Sequence, residues 1–203
     1  GCALAVAVAP PPASAASFTA VSAGGAHACG ITTGGAVRCW GSDSDGQAQA
    51  PDGSFTAIAA GADHACALRP AGTAVCWGAE AAGASRAPAG RFTRIAAGGS
   101  HTCALAAGGS VRCWGRRFAG GGGPRGRGFT QLAVGRDHVC ALARSGRVTC
   151  WGAGSAASPP AGRFARIAAG GDHACGLTTG GAVRCWGARL AGGGAAFVGA
   201  FRP

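Results

Sequence analysis

Phenylalanine recurs along this chain at Phe18, Phe55, Phe92, Phe129, Phe164 and Phe201, in steps of 37, 37, 37, 35 and 37 residues. The first five each open one pattern: Phe, two variable residues, a branched aliphatic, two small or aliphatic residues, Gly, then His-x-Cys and later Cys-Trp-Gly. A fixed period of this length constrains the fold more than any average property. Each period is one supersecondary unit that cannot bury its apolar faces alone and must stack on its neighbours. Composition by itself points elsewhere. The 203 residues include Gly 40 and Pro 10, and Leu, Ile, Val and Phe together make up only about 15%, a proportion typical of disordered chains. Five copies of one specific string overturn that expectation.

The second half of each unit reads as a β-hairpin. His27 to Ile31 and Val37 to Cys39 flank Thr-Thr-Gly-Gly, which is turn chemistry. If Cys29 faces Cys39, then Ile31 faces Val37, and these four side chains share one face while Arg38 and Trp40 point the other way. A small sheet that is apolar on both faces must be covered on both, as in a propeller blade or a solenoid coil. No apolar period of 3.6 residues supports helical repeats. The fold class is therefore all-β, with ~37-residue blades at 18–54, 55–91, 92–128, 129–163 and 164–200, and the start of a sixth unit at Phe201.

The string A-G-x-x-H-x-C-x-L followed by G-x-V-x-C-W-G resembles the repeat of the regulator of chromosome condensation superfamily, which includes the beta-lactamase inhibitor protein II. The resemblance covers residues 18–187 and implies a seven-bladed β-propeller, of which this chain carries five blades. Gly46-Gln47 matches the glycine-glutamine that ends many family repeats; the later units lack it, which leaves their connecting segments open. The cysteine pair is not part of the nuclear regulator's pattern. It is similar to secreted bacterial repeats of the family and to the ectodomains of plant Crinkly-type receptor kinases.

Ten of the 11 Cys form pairs at one spacing: Cys29/Cys39, Cys66/Cys76, Cys103/Cys113, Cys140/Cys150 and Cys175/Cys185. A cross-strand disulfide in every blade is the leading expectation and places the chain in an oxidising compartment. Reduced structural thiols are one alternative. A metal site from His27, Cys29 and Cys39 is another, although structural zinc favours tighter spacing and a fourth ligand. Residues 1–17 read as a partial signal peptide or an Ala/Pro linker, with Ala13-Ser14-Ala15 as a small-x-small cleavage site. Cys2 stays unassigned.

His27, His64, His101, His138 and His173 recur once per unit, as do Trp40, Trp77, Trp114, Trp151 and Trp186. A catalytic group is needed once, whereas a packing group is needed in every blade, so both rows read as structural. Asp43 and Asp45 lack the terminal Glu of an EF-hand loop. There is no G-x-S-x-G, phosphate loop or HExxH. No catalytic residue, cofactor or metal is expected, and the chain reads as a non-enzyme. No 18-residue apolar run encodes a membrane span.

Charge is the remaining lead. The net charge is +11 and all 18 basic residues are Arg; Lys, Asn, Tyr and Met are absent, which reflects GC-rich codons more than a binding role. Arg116, Arg117, Arg125 and Arg127 in the glycine-rich segment after the third unit form a candidate binding loop for acidic partners, and Arg86, Arg91 and Arg94 gather after the second. A solvated loop in an Arg-biased proteome explains the same residues. The function expected is an extracellular or cell-surface propeller, or a periplasmic one in a bacterium, that binds a protein or glycan. A Crinkly-type receptor ectodomain is a narrower alternative. A nuclear exchange factor or chromatin-binding propeller is a third, which the charge favours and the paired cysteines oppose; they also argue against nucleic acid as the partner.

Overall fold

The computed structural model describes residues 16–80, 83–116, 123–124 and 126–188. Residues 1–15 of the leader or linker expected over 1–17, with Cys2, and Arg117, Arg125 and the sixth unit at Phe201 lie outside the described residues. Within them the chain forms five three-stranded antiparallel sheets, one per repeat. The first blade is β1 (Phe18–Ala23), β2 (His27–Thr32) and β3 (Val37–Gly41); the second is β4 (Ala57–Ala60), β5 (His64–Leu68) and β6 (Ala74–Gly78). The third is β7 (Phe92–Ala97), β8 (His101–Ala106) and β9 (Val111–Gly115); the fourth is β10 (Phe129–Val134), β11 (His138–Ala143) and β12 (Val148–Gly152). The fifth is β13 (Phe164–Ala169), β14 (His173–Thr178) and β15 (Val183–Gly187).

The hairpin register follows the sequence argument, with Cys29 opposite Cys39 and Ile31 opposite Val37. In the first, third, fourth and fifth blades the opening strand carries a further feature. Phe18 pairs with Thr32 and Ala20 with Ile31, so Thr19 is extra and makes a bulge. The hydroxyl of Thr19 donates to the Ile31 carbonyl at 3.3 Å, and Thr56, Thr93 and Thr130 do the same in their blades. This bulge turns the Phe onto the Trp face, where Phe164 lies 5.9 Å from Trp186 between ring centroids.

All five cysteine pairs are disulfides within one blade: Cys29–Cys39, Cys66–Cys76, Cys103–Cys113, Cys140–Cys150 and Cys175–Cys185. Their Cα atoms stand 4.0 Å apart, as at the close, non-hydrogen-bonded positions of an antiparallel pair. Because these sulfurs are bonded to each other, they are not available to hold a metal with His27.

Blades stack face to face in chain order. Cys29, Ile31 and Val37 of the first blade pack on Phe55, Ala65 and Ala67 of the second, with Trp77 at the margin. Leu68 meets Phe92, Ala104 and Trp114 across the next seam. Cys140 and Leu142 meet Phe164, Ala174 and Trp186 across the last. Thus the disulfide face of one blade covers the aromatic face of the next. The first blade's aromatic face is open, with Phe18 41% and Trp40 48% exposed.

The described segments after the first, second and fourth Cys-Trp-Gly run back from the histidine end of their blade and seal the next. Trp77 Nε1 donates to the Gln47 carbonyl at 2.9 Å, Trp114 to Ala84 and Trp186 to Ala156, both at 3.0 Å. Gln47 is buried, and Ala84 and Ala156 stand in its place in later blades. The second and fourth connections, which lack Gly-Gln, keep the acceptor, because the contact uses a backbone carbonyl that any residue supplies. Among the described residues no helix is long and apolar enough to cross a membrane.

Candidate binding surface

Each blade has two ends. At one lie the turns that lead into His27, His64, His101, His138 and His173; at the other lie the hairpin turns, such as Thr33–Ala36 between β2 and β3. At the histidine end the backbone joins blade to blade. Gly25 N–H donates to the Gly61 carbonyl at 3.0 Å, Ala62 to Gly98 at 3.1 Å, Gly99 to Arg136 at 3.2 Å and Arg136 to Gly171 at 2.8 Å. Such close approach requires glycine: a Cβ on Gly24 would sit 2.6 Å from His27 Cε1. Gly41 closes the same corner at φ +103°, where a Cβ would meet the Ala26 carbonyl oxygen at 2.6 Å, so both steric space and the left-handed backbone exclude side chains there.

The imidazoles fill this seam. His27, His64, His101 and His138 are buried, and His64 Nε2 lies 2.8 Å from Thr102 Oγ1 of the next blade. Burial, followed by the neighbouring His27, lowers the His64 pKa to about 4 against the raising effect of Asp63. Burial also lowers His101 to about 4, reinforced by His64 and His138. His138 is lowered by burial, with Asp172 and Asp137 acting in the opposite direction. His64, His101 and His138 are thus held neutral as packing groups. Among the described residues no cluster of three His, Cys, Asp or Glu could hold a metal.

Charge separates between the two ends. The acids Asp43, Asp45, Asp63, Glu80, Asp137 and Asp172 all lie at turns or connection starts on the histidine end, leaving Asp52 alone at the hairpin end. Two arginines of the histidine end find partners there: Arg136 lies 3.8 Å from Asp172, and Arg86 lies 3.2 Å from Glu80. These are the ion pairs among the described residues. By contrast, Arg69, Arg91, Arg127, Arg144, Arg147 and Arg163 occupy the hairpin turns or the segments that enter them. Arg94 and Arg166 follow at the same end of β7 and β13, and Arg38, Arg112 and Arg184 are the second residues of the strands that leave the turns.

Two shallow grooves open at this arginine-rich end. One, of about 450 Å³, lies between the third and fourth blades and is lined by Arg94, Thr93, Phe129, Thr130 and Arg144 with intervening glycines. The other, of about 520 Å³, is lined by Arg147, Pro159, Pro160, Gly162 and Arg163. Arg163 Nη1 donates to the Ser145 carbonyl at 2.6 Å and Arg184 Nη1 to the Ala161 carbonyl at 3.2 Å, which fixes both guanidiniums beside the turn. Of the four-arginine loop read from the sequence, Arg116 and Arg127 are among the described residues. Arg116 N–H donates to Ser100 O at the histidine end, whereas Arg127 sits beside Gly128, whose N–H reaches Gly108 O at the hairpin end. Linear reading does not bring Arg94, Arg144, Arg147 and Arg163 together as a group. Their common signal is position within the repeat, at or beside the hairpin turn.

The five units match the family described as the Regulator of chromosome condensation (RCC1) repeat, at residues 18–47, 55–83, 92–117, 129–156 and 164–188. The chain belongs to that family. Comparison of this RCC1-repeat protein with curated sequences returns no match. Solved structures are similar. The ectodomain of the Physcomitrella patens receptor kinase CR4 superposes with TM-score 0.75 at 33% identity, over 90% of this chain and 53% of that one. The Crinkly ectodomain of the Arabidopsis thaliana receptor kinase ACR4 gives TM-score 0.72 at 29% identity, over 87% and 66%. Saccharomyces cerevisiae Prp20p, solved in a study of its binding to Gsp1p and histones, gives TM-score 0.70 at 17% identity, over 84% and 58%; that likeness is of fold alone. The RCC1-repeat chain thus spans about half to two-thirds of the length of these structures, and its blades are those of an RCC1-like propeller.

Proposed function

We propose that this RCC1-repeat propeller is a non-enzymatic extracellular or cell-surface module that binds a protein or glycan through its blade-end loops. The observation that carries this reading is the disulfide inside every blade. Such bridges form and persist in oxidising compartments and are rare in the cytosol and nucleus. Similarity to two receptor ectodomains points the same way, whereas the likeness to Prp20p carries no function. The non-enzymatic part rests on roles: the repeated histidines are spent on blade seams, and fold alone assigns no chemistry. The test is non-reducing peptide mapping of the protein taken from its own cells. Within-unit pairs at all five positions support the reading; free thiols throughout overturn it.

A narrower reading, favoured by the 33% identity to the CR4 ectodomain, makes the chain part of a receptor kinase. Full-length protein that fractionates with membranes and carries a kinase domain supports it, and release of the whole protein into the medium overturns it.

A further inference from the structure

From the arginine-rich hairpin end we infer that blades three to five form a docking surface for a carboxylated polysaccharide, a linear polymer of uronate type. The inference rests on the reading of an extracellular binding propeller and names the chemistry of its partner.

Three observations carry it. First, the field is one-sided. The hairpin end gathers most of the described arginines against the single acid Asp52, while the ion-paired arginines Arg86 and Arg136 belong with the acids toward the opposite end. Uncompensated charge of one sign along one end of the blades attracts and orients a polyanion. Second, the two grooves form a path. Arg144 and Arg147 stand at the two ends of the β11–β12 turn, and each lines a different groove, facing Arg94 in one and Arg163 in the other. A polymer with an anion on successive sugars can meet arginines on both sides of that turn. Guanidinium is planar, and its fork of donors matches a planar carboxylate with two parallel hydrogen bonds.

Third, the surroundings suit a sugar better than a protein. Protein interfaces are anchored by buried aromatic and aliphatic side chains. Among the described residues the exposed large hydrophobics are Phe18, Val21 and Trp40, all on the first blade and away from these grooves. The grooves offer glycine backbone, threonines and the flat faces of Pro159, Pro160 and a half-buried Phe129. Those groups fit hydroxyl-bearing rings lying along a shallow surface.

The experiment uses oxidised, folded protein and an oligomer of galacturonic acid as the probe, with affinity measured by calorimetry at several salt concentrations. Expected is binding that weakens with salt and is abolished by methyl esterification of the probe. Removing two groove arginines, as R94A with R144A or R147A with R163A, should weaken it roughly tenfold or more, since each change deletes charge-assisted hydrogen bonds. The pair R86A with R136A removes the same net charge elsewhere and should leave affinity within about twofold. Equal losses from all three pairs would reduce the effect to net charge and overturn the proposal. So would absence of binding at low salt, or stronger binding of poly-glutamate, duplex DNA or a sulfated glucan than of the uronate. Any of these can occur with all five disulfides mapped in secreted protein, so the docking surface can fail while the extracellular reading stands.

Discussion

At the scale of single residues, the seam histidines make the protein sensitive to acid. His64 and His101 are held near pKa 4, chiefly by burial, whereas an unfolded chain titrates near 6.5. The unfolded state therefore binds more protons between those values. Their contribution is fully present above about pH 6.5 and is lost as pH falls toward 4, with an upper limit of about 3 kcal/mol for each ring. Chemical denaturation across that range should show falling stability, and H101Q should flatten the profile. A profile already flat in the parent protein would show that these rings are solvated in the fold. The partner of His64 offers a second test. T102V keeps the shape that Val139 has one blade later but leaves His64 Nε2 without its 2.8 Å contact, at a cost of about 1–3 kcal/mol. An unchanged melt would mean that water takes the place of the hydroxyl. That histidine is structural is legible from its recurrence. Its partner is not, because Thr102 stands where the other blades carry Ala or Val.

At the scale of the blade, the hairpin was readable to the residue because strand alternation leaves one register that puts Cys29, Ile31, Val37 and Cys39 together. The opening strand was less readable. Its bulge at Thr19 breaks alternation, and in the second unit Phe55 precedes β4, which begins at Ala57. The acceptors of Trp77, Trp114 and Trp186 were invisible for a different reason: a backbone carbonyl has no letter of its own. Burial ranks the tryptophans. Trp114 packs at the seam between the second and third blades and donates to Ala84 O, whereas Trp40 is 48% exposed. W114A should cost about 3 kcal/mol, the low end for a core aromatic because Trp114 is only half-buried, and W40A distinctly less. Thermal melts of the two variants compare them directly. Equal losses would place another apolar group over Trp40 in solution and contradict the order of the seams.

For the whole molecule, the balance lies between a thin apolar core and its cross-links. The seams bury few large side chains, and alanine and glycine fill much of the space between them, so each blade interface contributes little compared with a core of leucines, at about 1.5–3 kcal/mol for each large side chain buried. The charge separation between the two ends was hidden in the sequence, since the chain visits each end in turn and interleaves acids of one with arginines of the other. The cysteines, in contrast, announce themselves. Each disulfide closes a sequence separation of 10, worth roughly 2.5–3 kcal/mol in the chain-entropy view and less where the hairpin forms unaided. A whole domain is stable by only about 5–15 kcal/mol, so loss of five bridges is comparable to everything the fold has. Reduction should therefore convert one cooperative melt into a broad, low-temperature transition, while a single pair such as C140A with C150A should cost about 2–3 kcal/mol and keep cooperativity. Calorimetry with and without a thiol reductant, with intact mass confirming that every bridge has opened, decides the matter. A fully reduced chain that melts sharply within a few degrees of the oxidised one would mean that the glycine-lined seams and their blade-to-blade hydrogen bonds hold the array by themselves.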